Sequence, residues 1–272
     1  MTMLNERFTL NDGYTIPRIG LGTWQTPADI AARVVREAIE VGYRHIDTAA
    51  AYRNEEAVGR GVRDSGIRRE DIFVTSKIPA EIKDASLARK QIEESVKLLG
   101  LGYIDLMLIH CPVPWNEWGR RTSDYFAENA AVYRELERAS DEGLIRSIGV
   151  SNFLPHDLEN IVQNCATVPA VDQISFHVGH TQPDVAAACA KHGVAIESYS
   201  PIATGHLLKY GLVAEMAAKY GVTPAQLCVR FALQCVPVTL PKTTHREYME
   251  SNAQVDFVIS AEDMETLKNM PY

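Results

Sequence analysis

With 272 residues, 46% of them apolar and only 8% aromatic, the chain is long enough for one large core and too evenly mixed to be fibrous or disordered. A formal net charge of −8 argues against nucleic acid or an anionic membrane as partner. No apolar run approaches the roughly 18 residues of a membrane helix, five scattered cysteines form no C-x-x-C pair, and the opening "MTMLNERFTL" lacks a long apolar stretch. We therefore expect reduced thiols, no secretory leader and a cytoplasmic location.

In chain order, "FTLNDGYTIPRIG" comes first and reads as an N-terminal β-hairpin, because Asp12-Gly13 supplies the positive φ of a tight turn. Eight short apolar runs follow: "RIGLG", "YRHID", "DIFVTSK", "YIDLMLIH", "LIRSIGVS", "AVDQISF", "VAIESYS" and "VPVTLPK". They are nearly continuous rather than alternating, as in parallel strands buried on both faces. Helical periodicity separates them in "ADIAARVVREAIEVG", "NEEAVGRGVRDSG", "SLARKQIEESVKLLG", "YFAENAAVYRELERASDEG", "PHDLENIVQNC", "PDVAAACAKHG" and "LVAEMAAKYG". Eight strand–helix repeats without a linker predict an α/β fold, a (β/α)8 TIM barrel formed as a single domain over residues 1–272.

In such a barrel the chemistry sits on the loops after the strands. Four separate apolar runs end near Asp47, Tyr52, Lys77 and His110, so a carboxylate, a phenol, an ammonium and an imidazole should converge at one mouth. An ammonium beside a phenol favours the phenolate, a carboxylate can hold that ammonium, and an imidazole N–H can bind a carbonyl oxygen. Such a set suits protonation of an alkoxide formed when hydride reaches a carbonyl carbon. It supplies no hydride itself, which implies a nicotinamide cofactor. A hydrolase or lyase using Asp47 and His110, or a binding protein without turnover, is also compatible with these residues. No G-x-G-x-x-G follows a strand, and His177, His180 and His206 lack a carboxylate or thiol at ligand spacing, so neither a Rossmann domain nor a metal site is expected.

The segments "GYRHIDTAAAYRNEEAVG", "IFVTSK", "DLMLIH", "IRSIGVSNF", "VDQISFH" and "LPKTT", in this order, resemble the signature of the aldo-keto reductase superfamily across nearly the whole chain. They are most similar to the bacterial group that includes the 2,5-diketo-D-gluconate reductases. The resemblance implies metal-free reduction of aldehydes and ketones, keto-sugars or dicarbonyls among them, with NADPH or, less favourably, NADH. It also implies a monomer. Tyr52 would be the proton donor, Lys77 and Asp47 its tuning pair, and His110 the substrate orienter. Ser151, Asn152 and Gln173 would hold the nicotinamide carboxamide, with Tyr199 stacked on its ring. Gly22, Thr23 and Asp47 would line the cofactor channel. Ser200, Pro201, Ile202 and Thr204 would follow the pyrophosphate. Lys242, Thr243 and Thr244 would meet a 2′-phosphate and Asn252 the adenine. Trp24 and Trp115 would wall the substrate pocket.

The sequence also departs from the pattern. Cys111 stands where relatives carry Trp after the histidine, which should widen the pocket. Tyr248 stands where an Arg often meets the 2′-phosphate, so Arg246 would have to replace it, and Ser251 stands where a Glu often precedes Asn252. The chain stops soon after its last helix, at "LKNMPY", which leads us to expect an open, permissive mouth.

Overall fold

The computed structural model describes residues 3–272; the first two residues of the opening segment lie outside it. The expected hairpin is present: β1 (Arg7–Thr9) pairs antiparallel with β2 (Thr15–Pro17). Gly13 adopts a φ of 88°, which few residues but glycine accept, and Asp12 Oδ1 accepts a hydrogen bond from Tyr14 N at 3.0 Å. Leu10 and Ile16 are buried with Phe73, Leu106, Val171 and Val238. The hairpin therefore plugs the end at which the barrel strands begin.

The barrel strands are β3 (Leu21–Gly22), β4 (His45–Asp47), β5 (Phe73–Ile78), β6 (Ile104–Ile109), β7 (Ile145–Ser151), β8 (Val171–Ser175), β9 (Ala195–Tyr199) and β10 (Val238–Leu240). Each is parallel to its neighbour, in the order β10-β9-β8-β7-β6-β5-β4-β3. A parallel bridge from Ile19 to Thr239 brings the two ends together, with Gly20 N donating to Thr239 O at 3.0 Å and Gly22 N to Pro241 O at 3.1 Å. All eight expected runs supply a strand, and residues of β5 and β6 are buried on both faces, as their continuous apolar character requires.

Seven helices follow the periodicity of the sequence: α1 (Ala28–Val41), α2 (Glu55–Asp64), α3 (Ala85–Leu99), α4 (Phe126–Asp141), α5 (Pro155–Asn164), α6 (Pro183–His192) and α7 (Gly211–Tyr220). Three more lie outside those periodic segments: α8 (Pro224–Cys235), α9 (Arg246–Ala253) and α10 (Ala261–Lys268), the last being the helix soon after which the chain stops. The signal for α8 was present, because Thr223 Oγ1 accepts from Gln226 N at 3.2 Å while Gln226 Oε1 accepts from Thr223 N at 3.0 Å. That is a capping box with proline at the first helical position. The other two are only eight residues each, too short for a periodic pattern to stand out.

Candidate active site

Because the strands are parallel, residues at their carboxyl ends share one mouth. Asp47 ends β4, Tyr52 ends the short 3-10 turn Ala50–Tyr52 just beyond it, Lys77 lies near the end of β5, and His110 follows β6 directly. Lys77 is fully buried, and its Nζ donates to Asp47 Oδ2 at 2.6 Å and to Thr48 O at 2.8 Å, with Tyr52 Oη 3.5 Å away. Burial works against the ammonium, yet Asp47 and Tyr52 outweigh it and raise the Lys77 pKa. The phenol behaves differently. Lys77 does pull its pKa down, as expected, but burial pushes harder in the other direction, so Tyr52 stays a protonated acid.

Burial, helped by Lys77, lowers the His110 pKa to about 3, so its imidazole is neutral. The ring meets Tyr52 edge-on at 5.6 Å and Trp115 at 5.2 Å, and its Nδ1 is buried with no hydrogen-bond partner among the described residues. Side chains from two loops and α4 hold the backbone here. Asn152 Nδ2 donates to His110 O at 3.0 Å, Lys83 Nζ to Cys111 O at 2.9 Å, and Asn129 Nδ2 to Pro112 O at 2.8 Å. Cys111 itself is fully buried beside Ala80 and Val113, with Tyr125 packed against them. Trp24 and Trp115 are 46% and 38% exposed. Trp118 lies 6.1 Å from Trp115, a neighbour the sequence reading passed over although "WNEW" spaces the two indoles one turn apart.

A second group lies beside the first. Ser151 Oγ donates to Gln173 O at 2.8 Å, and Tyr199 Oη donates to Asn152 Oδ1 at 2.8 Å. Gln173 Nε2 faces two carboxylates, Asp47 Oδ2 at 2.8 Å and Glu197 Oε2 at 2.6 Å. Thr23 Oγ1 donates to Asp47 O at 2.8 Å, and Gly22 is buried next to it. Ser200 and Thr204 both hold positive φ, 52° and 53°, in the loop that also contains Pro201 and Ile202. On the far side Lys242 is exposed and makes no ion pair among the described residues, while Thr243 and Asn252 are buried and Thr244 is half-buried. Arg246 is committed elsewhere, to Glu40 at 2.7 Å and Glu250 at 3.1 Å. Tyr248 is 57% exposed, and its ring meets that of His245 edge-on at 5.5 Å. Among the described residues, no three His, Cys, Asp or Glu side chains are placed to hold a metal ion, and no helix is long and apolar enough to cross a membrane.

Comparison with known proteins shows which family the chain resembles throughout its length. The chain is 42% identical over 270 residues to an aldo-keto reductase of Mycolicibacterium smegmatis, covering 98% of this chain and 94% of that one. It is 36% identical over 268 residues to the glyoxal reductase of Bacillus subtilis, covering 98% and 93%. The solved structure of an aldo/keto reductase from Brucella melitensis superimposes with a TM-score of 0.89 at 34% identity, over 97% of this chain and 98% of that one. The sequence profile of the aldo/keto reductase family matches residues 18–270, and the chain therefore belongs to that family.

Proposed function

We propose that the protein reduces aldehydes and ketones to alcohols with NADPH, with small dicarbonyls such as glyoxal the foremost substrates and keto-sugars a further class. The observation that carries this reading is the buried contact of Lys77 with Asp47 and Tyr52, next to a neutral imidazole. Likeness to a glyoxal reductase supports the dicarbonyl part. We take the enzyme to be one barrel unit over residues 1–272, monomeric and cytoplasmic, as is usual for such reductases.

The residues present suit a phosphorylated dinucleotide. Lys242 is a cation without a carboxylate partner among the described residues, and two threonine hydroxyls follow it. Lys242, Thr243 and Thr244 would hold the 2′-phosphate, with Arg246 recruited from its exposed ion pairs and Tyr248 beside the adenine that Asn252 contacts. Ser200, Pro201, Ile202 and Thr204 would flank the pyrophosphate; Gly22, Thr23 and Asp47 the channel; Ser151, Asn152, Gln173 and Tyr199 the nicotinamide. When bound, the reduced cofactor would supply hydride to the carbonyl carbon. Tyr52 gives its phenolic proton to the oxygen that becomes the alcohol. Lys77, held by Asp47, stabilises the phenolate left behind. His110, being neutral, donates one N–H to the carbonyl oxygen and orients it between the indoles of Trp24 and Trp115.

Following cofactor oxidation with glyoxal and methylglyoxal, at equal concentrations of NADPH and NADH, tests this directly. We expect turnover with both cofactors and a modest preference for NADPH. One charged hydrogen bond, worth about 1.5–3 kcal/mol or roughly 10- to 150-fold, separates an Arg-bearing site from this one. Tight cofactor binding without carbonyl turnover would refute the assignment.

A further inference from the structure

Beneath the candidate site the barrel interior holds a second pair of titratable groups, Glu197 on β9 and His45 on β4. Both side chains are fully buried, and His45 Nε2 lies 3.6 Å from Glu197 Oε1. That oxygen and His45 Nδ1 have no hydrogen-bond partner among the described residues, while His45 Nε2 also lies 3.0 Å from Thr75 Oγ1. The imidazole fits because β3 is preceded by glycine: a Cβ on Gly20 would sit 2.7 Å from His45 Nδ1. From the other side, Gln173 Nε2 joins Glu197 to Asp47, the partner of Lys77.

Charge decides what this arrangement holds. If Lys77, Asp47 and Glu197 were all ionised, the interior would carry one unpaired negative charge, a costly state in a water-excluded core. The groups facing Glu197 are His45 and Asp47 from β4, Thr75 and Lys77 from β5, and Gln173 from β8, with Tyr52 above them and Arg7 of the hairpin acting on His45. Among these only the Glu197–His45 pair is free to keep a proton without breaking the Lys77–Asp47 contact.

We propose that Glu197 and His45 hold one proton between them, and that through Gln173 this pair positions Asp47 and sets the charge felt by Lys77 and Tyr52. Glu197 is on this view a positioning residue, and the proposal rests on the reading of Tyr52 as the proton donor. Burial, with Asp47 adding to it, pushes the Glu197 carboxyl up to about 8, whereas burial holds His45 down to about 3, so the proton resides on the carboxyl at neutral pH. Above that pH the interior gains a negative charge, which favours the protonated phenol.

The test uses the whole protein and the variant Glu197→Gln, whose amide mimics the protonated carboxyl. Infrared difference spectra should show a protonated-carboxyl band, beside that of buried Asp172, that wild type loses as pH rises through about 8 and that Glu197→Gln lacks throughout. The pH profile of kcat/KM should carry an inflection in the same range in wild type only, with the final alkaline fall at lower pH in Glu197→Gln. Restoring the carboxyl on a shorter stem, in Glu197→Asp, should restore the band. A purely structural Glu197 would change stability and leave both profiles alike, and that result overturns the proposal. The infrared arm needs no turnover. Absence of carbonyl reduction in wild type would therefore refute the functional reading, while the band still decides whether the pair holds a proton.

Discussion

A phenol whose pKa is raised by burial and lowered by a neighbouring ammonium is an acid kept loaded until the substrate oxygen demands its proton. At Tyr52 the two influences oppose each other, and Lys77 is the adjustable one. Lys77→Met should therefore cripple turnover and also destabilise the fold. It leaves Asp47 nearly buried, at 4% exposure, with its ammonium gone, and breaking a buried pair costs about 3–5 kcal/mol. The double variant Asp47→Asn with Lys77→Met removes the stranded charge and should recover much of the melting temperature but none of the activity. Recovery of turnover in the double variant would show that the ammonium is dispensable. The four polar strand ends were legible because a Lys and an Asp are costly to bury without purpose. Glu197 sits in an equally apolar run, "VAIESYS", and was passed over because it lies two residues before the strand end, on the same face as Tyr199 but one layer deeper.

At the scale of elements, the strands and the first seven helices could be read because their periodicities are long and clean. What could not be read is how elements approach each other. Helix α2 crosses α3 with Gly59 against the end of α3, where a Cβ would lie 1.9 Å from Leu99 O. Backbone is what it would meet, so no side chain can swing away. Gly59→Ala should cost about 1–3 kcal/mol by overpacking, seen as a lower melting temperature, despite the better helix propensity of alanine. An unchanged or raised melting temperature would mean that α2 shifts freely. The same blindness hid the hold on His110, Cys111 and Pro112: Lys83 and Asn129 look in sequence like ordinary surface polars, and Asn152, expected at the cofactor, gave no sign that it also holds the His110 carbonyl.

For the whole molecule, the buried ionisable groups predict how stability follows pH. Burial raises the Glu197 pKa to about 8 and the Asp172 pKa well above the usual carboxylate range. The folded state thus binds more protons than the unfolded chain, and the stability these groups give below about pH 4 is lost as pH rises through the folded values. His45 and His110 oppose this: both are held near 3, so stability rises with pH from there to about 6.5, where the unfolded imidazoles lose their protons. Between about pH 6.5 and 8, below the range in which Lys83 and the cysteines titrate, the Glu197 slope sets the trend. The melting temperature should fall between pH 6.5 and 8, with up to about 1.4 kcal/mol of stability lost per pH unit through Glu197; a rise over that window would contradict the burial of this group. The proton donor proposed for the carbonyl oxygen is Tyr52. Its most direct test is Tyr52→Phe, measuring NADPH affinity by fluorescence titration and kcat with methylglyoxal on the same preparation. Near wild-type affinity is expected, with a kcat lower by about 10²–10⁴-fold or more, whereas wild-type kcat in that variant would remove Tyr52 from the mechanism.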